Sequence, residues 1–231
     1  MGYSGVREAV EALRSGLPIM VFDSEAREAE VDLIYHASSV TWEEIYDLRM
    51  NAGGLICFAT HGRIAKALGL PWGDELYSKH PVLRPLAQRR LGYGDRTAFT
   101  VWVNHKDVAT GIRDEDRART VRRLADVARL VWEDKVEEAR RIFKEEFVAP
   151  GHVPILASRG LKERRGHTEL AVSIAVLAGT TPALVIAEML DRGSQLSLEK
   201  ARDLARRRGI PLVSGDEVLA ACREREVCWR G

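Results

Sequence analysis

The sequence predicts an α/β (α+β) fold: a single domain over residues 1–231, with a mixed central β-sheet layered between helices. Three observations predict it. Short apolar runs at Ile19–Phe22, Leu55–Ala59, Ala183–Ala187 and Ile210–Val213 alternate with charged stretches of helical character, the pattern of a sheet covered by helices. Helix punctuation recurs between them, with Thr41 or Ser214 three residues ahead of Glu44 or Glu217, and with glycine at helix ends. No repeat, low-complexity segment or clean linker divides the 231 residues, which suffice for a real core.

Taken in order, Val6, Val10 and Leu13 share one face of a short helix that Gly16 can end. Ile19–Phe22 reads as a buried strand. An acidic loop follows, then a strand over Val31–Ala37 in which Leu33 and Tyr35 alternate with Asp32 and Ile34. The Thr41–Glu44 capping box starts a helix at Trp42, and Gly53-Gly54 breaks the chain before a strand at Leu55–Ala59. A helix covers Ile64–Leu68. Residues 69–96 carry three prolines and four glycines without a sustained period, as expected of a lid, insert or interface loop. Thr97–Val103 alternates as a strand, and charged helices are expected over Glu115–Leu130 and Glu133–Glu146. Pro150-Gly151-His152 is a break before a short strand, Val153–Ala157. Leu170–Ala178 is an apolar helix stopped by Gly179. Ala183–Ala187 delivers Glu188 at a strand end. Ser197 caps a helix that reaches Arg208, Ile210–Val213 is the last strand, and Ser214–Glu217 starts the final helix.

Composition narrows the function. Lys and Arg number 35 against 34 Asp and Glu, so no basic balance argues for nucleic acid. No run is long and apolar enough to span a membrane, and residues 1–10 lack the order of a signal peptide, so a cytoplasmic protein is expected. Charged residues make up 30% of the chain, while Asn occurs only at 51 and 104 and Gln only at 88 and 195, a balance that points to a thermophilic source. The three cysteines, Cys57, Cys222 and Cys228, have no CxxC spacing and frame no zinc site; in a thermophile a Cys222–Cys228 disulfide stays open.

Several stretches carry chemistry. Asp23, Glu25, Arg27, Glu28, Glu30 and Asp32 crowd into one loop, where carboxylates repel unless a cation neutralises them. Hard oxygen ligands suit magnesium or manganese, and a solvated polar turn is the alternative. Arg164-Arg165-Gly166-His167-Thr168-Glu169 opens a helix, where free N–H groups, the dipole and a neighbouring guanidinium can hold a phosphate; a solvated charge cluster is the alternative. His167 can add a metal ligand. His152, mounted after Pro150-Gly151, is a candidate acid or base, as is Glu188 at the end of a buried strand. Against these stand a merely solvated loop histidine and a salt-bridged strand end. Asp116-Arg117 with Thr120 reads as first-turn charge with a surface ion pair, and Cys57 as an inert core thiol.

The order of the motifs is more specific than any one of them. Asp23-x-x-x-Arg27-Glu28-x-Glu30-x-Asp32 comes first, then Gly53-Gly54-Leu55-Ile56-Cys57, then Thr110-Gly111-Ile112 with Asp116-Arg117-Ala118-x-Thr120. Pro150-Gly151-His152-Val153, Arg164-x-Gly166-His167-Thr168-Glu169 and Glu188 complete it. From about Val6 to the last helix, the chain resembles the 3,4-dihydroxy-2-butanone 4-phosphate synthase family of riboflavin biosynthesis, in its short archaeal-like form. The resemblance implies a magnesium-dependent lyase that converts D-ribulose 5-phosphate to the four-carbon phosphate and formate, with manganese as the alternative metal that the acidic loop also suits. It implies Glu28 and His167 as metal ligands. Arg27, Glu28, Asp32, Arg164, Arg165, Gly166, His167, Thr168 and Glu188 would bind substrate, and His152 and Glu188 would catalyse. The chemistry expected for such a substrate is loss of the C3 proton, loss of water from C1, a carbon shift, and attack of water that releases C4 as formate. A homodimer with the active site at or near its interface is implied too. Arg113 departs from the pattern, standing where Ser or Thr often follows Thr-Gly-Ile, and Ala29 and Val31 replace smaller or more polar residues. Two other readings stand beside this one: another magnesium-dependent sugar-phosphate aldolase or isomerase, which would make no formate, and a nucleotide- or RNA-binding module, which the balanced charge disfavours.

Overall fold

The computed structural model describes residues 5–90, 92–223 and 225–230. Among them, seven strands form one mixed sheet: β1 (Ile19–Phe22), β2 (Val31–His36), β3 (Cys57–Thr60), β4 (Phe99–His105), β5 (Phe147–Ala157), β6 (Ala183–Glu188) and β9 (Leu212–Ser214). Their order is β4-β5-β3-β6-β2-β1-β9. β1 is antiparallel to β2, β2 to β6, β6 to β3 and β4 to β5, while β3–β5 and β1–β9 are parallel. A small hairpin of β7 (Leu190–Asp191) and β8 (Ser194–Gln195) follows β6.

Both faces of the sheet are covered, so alternate residues enter two separate cores. Met20, Phe22, Leu33 and Tyr35 face one layer, built by α2 (Trp42–Asp47), α3 (Gly62–Leu68), α6 (Asp114–Trp132), α7 (Val136–Glu146) and α9 (Leu198–Arg208). Ile19, Val21 and Ile34 face the other, built by α1 (Val6–Arg14), α8 (His167–Leu177), α10 (Gly215–Ala221) and α11 (Glu226–Trp229). The alternation expected in β2 holds, yet Asp32 and Ile34 face the second helical layer and not solvent. α8 is apolar nearly all round because it is buried nearly all round: every residue from His167 to Ala175 is buried.

Local signals fixed most boundaries. Thr41 and Glu44 close a full capping box ahead of α2, as do Ser214 and Glu217 ahead of α10. Ser197 caps α9, and Gly209 ends it in the left-handed conformation. Two expectations need correction. Residues 69–96 hold α4 (Gly73–Ser78) and α5 (Arg84–Ala87), apart from Leu91, which lies outside the described residues. Pro150-Gly151-His152 does not precede a short strand. It is a bulge inside the long β5: Val103 pairs with Val153 and Asn104 with Val148, so residues 149–152 have no partner opposite them on β4. Cys222 and Cys228 are buried free thiols. No helix of the described residues is long and apolar enough to cross a membrane.

Candidate active site

Strand directions bring the sequence motifs to one end of the sheet. The ends of β1, β4 and β6 and the starts of β2 and β3 meet there, together with the bulge of β5. The start of α8 joins them, because His167 packs against the loop between β1 and β2.

That loop, residues 23–30, folds around Asp23. The Asp23 carboxylate accepts the backbone N–H of Glu28 (3.1 Å) and of Glu30 (3.1 Å), and the Arg27 guanidinium (3.0 Å). Ala29 takes a left-handed φ of 52° inside the loop, a conformation that a residue without Cβ adopts at lower cost. The ring of His167 donates from Nε2 to the Glu30 carbonyl (3.0 Å), which leaves Nδ1 facing Glu28 (3.3 Å) and Asp32 (3.7 Å). One ligand atom from each of Asp23, Glu28 and His167 lies within 4.8 Å of the other two. Two carboxylate oxygens and an imidazole nitrogen fit a magnesium or manganese ion, with the ring orientation fixed by its carbonyl partner. Asp23 is thus a third candidate beside the two ligands expected from the resemblance.

Protonation follows from burial and neighbours. Burial works to raise the Glu28 carboxyl, but hydrogen bonds from His167 and Tyr93 and the charges of His167 and Arg27 outweigh it and hold it at about 2. Burial alone would lower His167; the charge of Asp32 and the Glu28 contact reverse this and lift it to about 9. Asp32 is 2% exposed, and burial with the repulsion of Glu188, Glu28 and Glu30 pushes it up to about 8 against the pull of His167. Its Oδ1 has no hydrogen-bond partner among the described residues. Glu30 is raised as well, by burial first and then by Glu28.

The start of α8 is not a solvated charge cluster. Glu169 reaches back to the Gly166 N–H (3.3 Å) and accepts the Arg159 N–H (3.0 Å), and the buried Arg164 guanidinium pairs with it. Arg164 also donates from Nε to the Arg96 carbonyl (3.1 Å), so its charge sits at the helix start but is tied to protein partners. Thr168 is buried in the first turn. Arg165 is exposed and donates to the Leu161 carbonyl (3.4 Å), in the turn that precedes α8. Arg27 bridges Asp23 to Asp95 (2.8 Å) and stacks on Tyr93, whose hydroxyl donates to Glu28. The stretch expected to be a lid, insert or interface loop therefore docks on the candidate metal cluster through Tyr93 and Asp95.

Glu188 lies opposite Asp32 in the β2–β6 ladder, on the α8 face. Its carboxylate accepts the Leu55 N–H (2.8 Å), and a Cβ on Gly54 would fall 2.4 Å from Glu188 Oε2, so the Gly53-Gly54 break exists to let this side chain lie against the backbone. His152, exposed on the β5 bulge, contacts Asn104 and not the carboxylates. β5 and β6 flank β3, which puts His152 about two strand spacings, roughly 10 Å, from Glu188 along the sheet. One chain thus gathers Asp23, Glu28, Asp32, His167 and Glu188, and sets His152 apart.

Asp116 overturns its sequence reading. It is buried and accepts the N–H groups of Thr110 (3.1 Å) and Gly111 (3.0 Å), and Arg113 pairs with it (2.9 Å). These contacts hold its carboxyl well below the usual range, the Arg113 bond foremost. Arg113, the residue that departs from the family pattern, therefore secures the turn. Tyr93, Asp95 and Asn104 were missed because each acts across 48 to 68 residues of chain, and no local spacing marks such a contact.

A family profile described as 3,4-dihydroxy-2-butanone 4-phosphate synthase matches residues 7–221. The chain is 40% identical to the 3,4-dihydroxy-2-butanone 4-phosphate synthase of Archaeoglobus fulgidus, covering 95% of each chain. It is 38% identical to that of Methanosarcina acetivorans, covering 95% of this chain and 92% of the other. Among solved structures, it is similar to a 3,4-dihydroxy-2-butanone 4-phosphate synthase in complex with two magnesium ions, with a TM-score of 0.78 and 29% identity over 97% of this chain and 99% of that one. The cation-free form of a 3,4-dihydroxy-2-butanone 4-phosphate synthase superposes with a TM-score of 0.77 at 28% identity, over 97% of this chain and 100% of the other.

Proposed function

The chain belongs to the 3,4-dihydroxy-2-butanone 4-phosphate synthase family, and we propose that it is the magnesium-dependent lyase of riboflavin biosynthesis that splits D-ribulose 5-phosphate into 3,4-dihydroxy-2-butanone 4-phosphate and formate. The observation that carries the reading is the Asp23–Glu28–His167 cluster, set at the sheet end where Asp32 and Glu188 converge.

Glu28 and His167, with Asp23 beside them, would hold the ion. When bound, magnesium polarises the ketose carbonyl and stabilises enediolate charge. The residues of the chain supply the rest. Glu28 is ionised across the working range and serves as a ligand, not as an acid. Asp32, Glu30 and His167 each hold a proton above their ordinary range, which gives the cluster groups suited to proton transfer. Arg27 and the α8 start, with Arg164, Gly166 and Thr168, provide the positive end that suits a phosphate. Glu188, fixed by the Leu55 N–H, and His152 move protons at the reacting carbons. Manganese is the alternative metal, the working form is a single-domain homodimer, and the setting is the cytoplasm of a thermophile. Neither nucleic acid nor membrane is a partner.

Purified protein, warmed with D-ribulose 5-phosphate and magnesium, is expected to release formate in step with substrate loss, and a chelator to stop it. Substrate loss without formate would replace this reading with an aldolase or isomerase. For His152→Ala, turnover is expected to vanish with substrate affinity retained; full turnover would remove His152 from the chemistry.

A further inference from the structure

Among the described residues His152 hydrogen-bonds to Asn104 of β4, and the contacts bear on more than its position. The backbone N–H of His152 can only donate, so the Asn104 atom 2.8 Å from it is the carbonyl oxygen Oδ1, which settles the orientation of the amide. The other end, Nδ2, then lies 3.1 Å from His152 Nδ1. An amide NH2 can only donate, so in the nearer of the two Asn104 contacts Nδ1 accepts, and a neutral ring held that way carries its proton on Nε2. Oδ1 stands 3.3 Å from the same Nδ1, near enough to accept a proton there when the ring becomes an imidazolium.

Asn104 is itself clamped. A Cβ on Gly111 would fall 2.2 Å from Asn104 Nδ2, and one on Gly151 would fall 2.2 Å from the Asn104 backbone nitrogen. Gly111 takes a φ of 89°, in a turn that Asp116 holds through the Thr110 and Gly111 N–H groups. The Thr110-Gly111 turn thus presses on the amide, and the amide faces the imidazole.

We propose that Asn104 is a positioning residue that fixes His152 as the Nε2–H tautomer, so that the resting enzyme presents a hydrogen-bond donor at Nε2 to the substrate. This rests on the catalytic role given to His152 above. The test reads the tautomer directly, by long-range proton–nitrogen NMR of the intact, histidine-labelled protein, with the His152 signal assigned by its loss in His152→Gln. The wild-type ring is expected as Nε2–H. Asn104→Asp, nearly isosteric and able only to accept, is expected to switch it to Nδ1–H, and Asn104→Ala to leave a mixture. In Asn104→Ala, kcat is expected to fall about tenfold or more with KM within about twofold. A wild-type Nδ1–H ring, or tautomers unchanged in both variants, would overturn the proposal whatever the activity. The predicted tautomers together with a fully active His152→Ala would instead sink the catalytic role of His152 and leave the positioning intact.

Discussion

His167 links the metal to pH. Its Nδ1 must lose a proton to ligate, and its neighbours keep that proton on up to about pH 9 in the metal-free protein. Glu28, ionised down to about 2, adds nothing in that range. Magnesium affinity is therefore expected to rise about tenfold per pH unit between about pH 6 and pH 8, with a proton released on binding. Calorimetry in buffers of different ionisation heat would check this, and a flat profile would contradict it. The sign carries over to stability. A raised His167 stabilises the metal-free fold fully below its ordinary value of 6.5, and that contribution is lost as pH rises through about 9; the raised Asp32 has the same slope. The thermal midpoint of the metal-free protein is expected to fall as pH climbs from about 6.5 to about 9, which pH-resolved scanning calorimetry would show. For Glu28→Gln, magnesium affinity is expected to drop by more than the 10–100-fold typical of an outer partner, as read by titration. At this scale the resemblance pointed to Glu28 and His167, and the fold brings the two together with Asp23. The sequence reading missed Asp116, whose role depends on a turn folding back over a carboxylate.

Elements place these residues through a few close approaches. Gly54 is the clearest, since a Cβ there would meet Glu188 Oε2 at 2.4 Å and the Glu188 carbonyl at 2.6 Å. The carbonyl belongs to a paired strand and cannot yield. Gly54→Ala is expected to destabilise the fold by about 1–3 kcal/mol and to lower kcat by displacing the Glu188 carboxylate. Denaturant melts with parallel kinetics would check it, and wild-type values in both would contradict it. Helix starts and stops were legible because a cap is written within four residues, as at Thr41–Glu44 and Ser214–Glu217. The bulge of β5 was not, because whether Pro150-Gly151 ends a strand or swells one depends on the register of β4, over 40 residues away. The docking of Tyr93 and Asp95 over the cluster was hidden for the same reason.

For the whole molecule, the sheet order decides which groups can meet. His152 sits on β5 and Glu188 on β6, with β3 between them, and the chain brings no carboxylate of the cluster to the imidazole. A homodimer that brings His152 of one protomer toward the cluster of the other would complete the set. Mixing chains that carry His152→Ala with chains that carry Glu188→Ala, through a denaturing and refolding step, is expected to restore activity to about a quarter of wild type, since half of the dimers would be mixed and each would hold one intact site. No recovery, from protein shown to have re-formed mixed dimers, would mean that each chain uses its own His152. The layered sheet itself was readable from alternation alone, whereas assembly leaves no mark in hydrophobic period.

The central claim is that carbon leaves as formate, and one labelling experiment tests it most directly. With D-ribulose 5-phosphate carrying carbon-13 at C4 and magnesium present, all of the label is expected to appear as formate, while the four-carbon phosphate stays unlabelled. Label retained in a phosphorylated product, with substrate consumed, would contradict the account and point to an aldolase or isomerase at this same metal cluster.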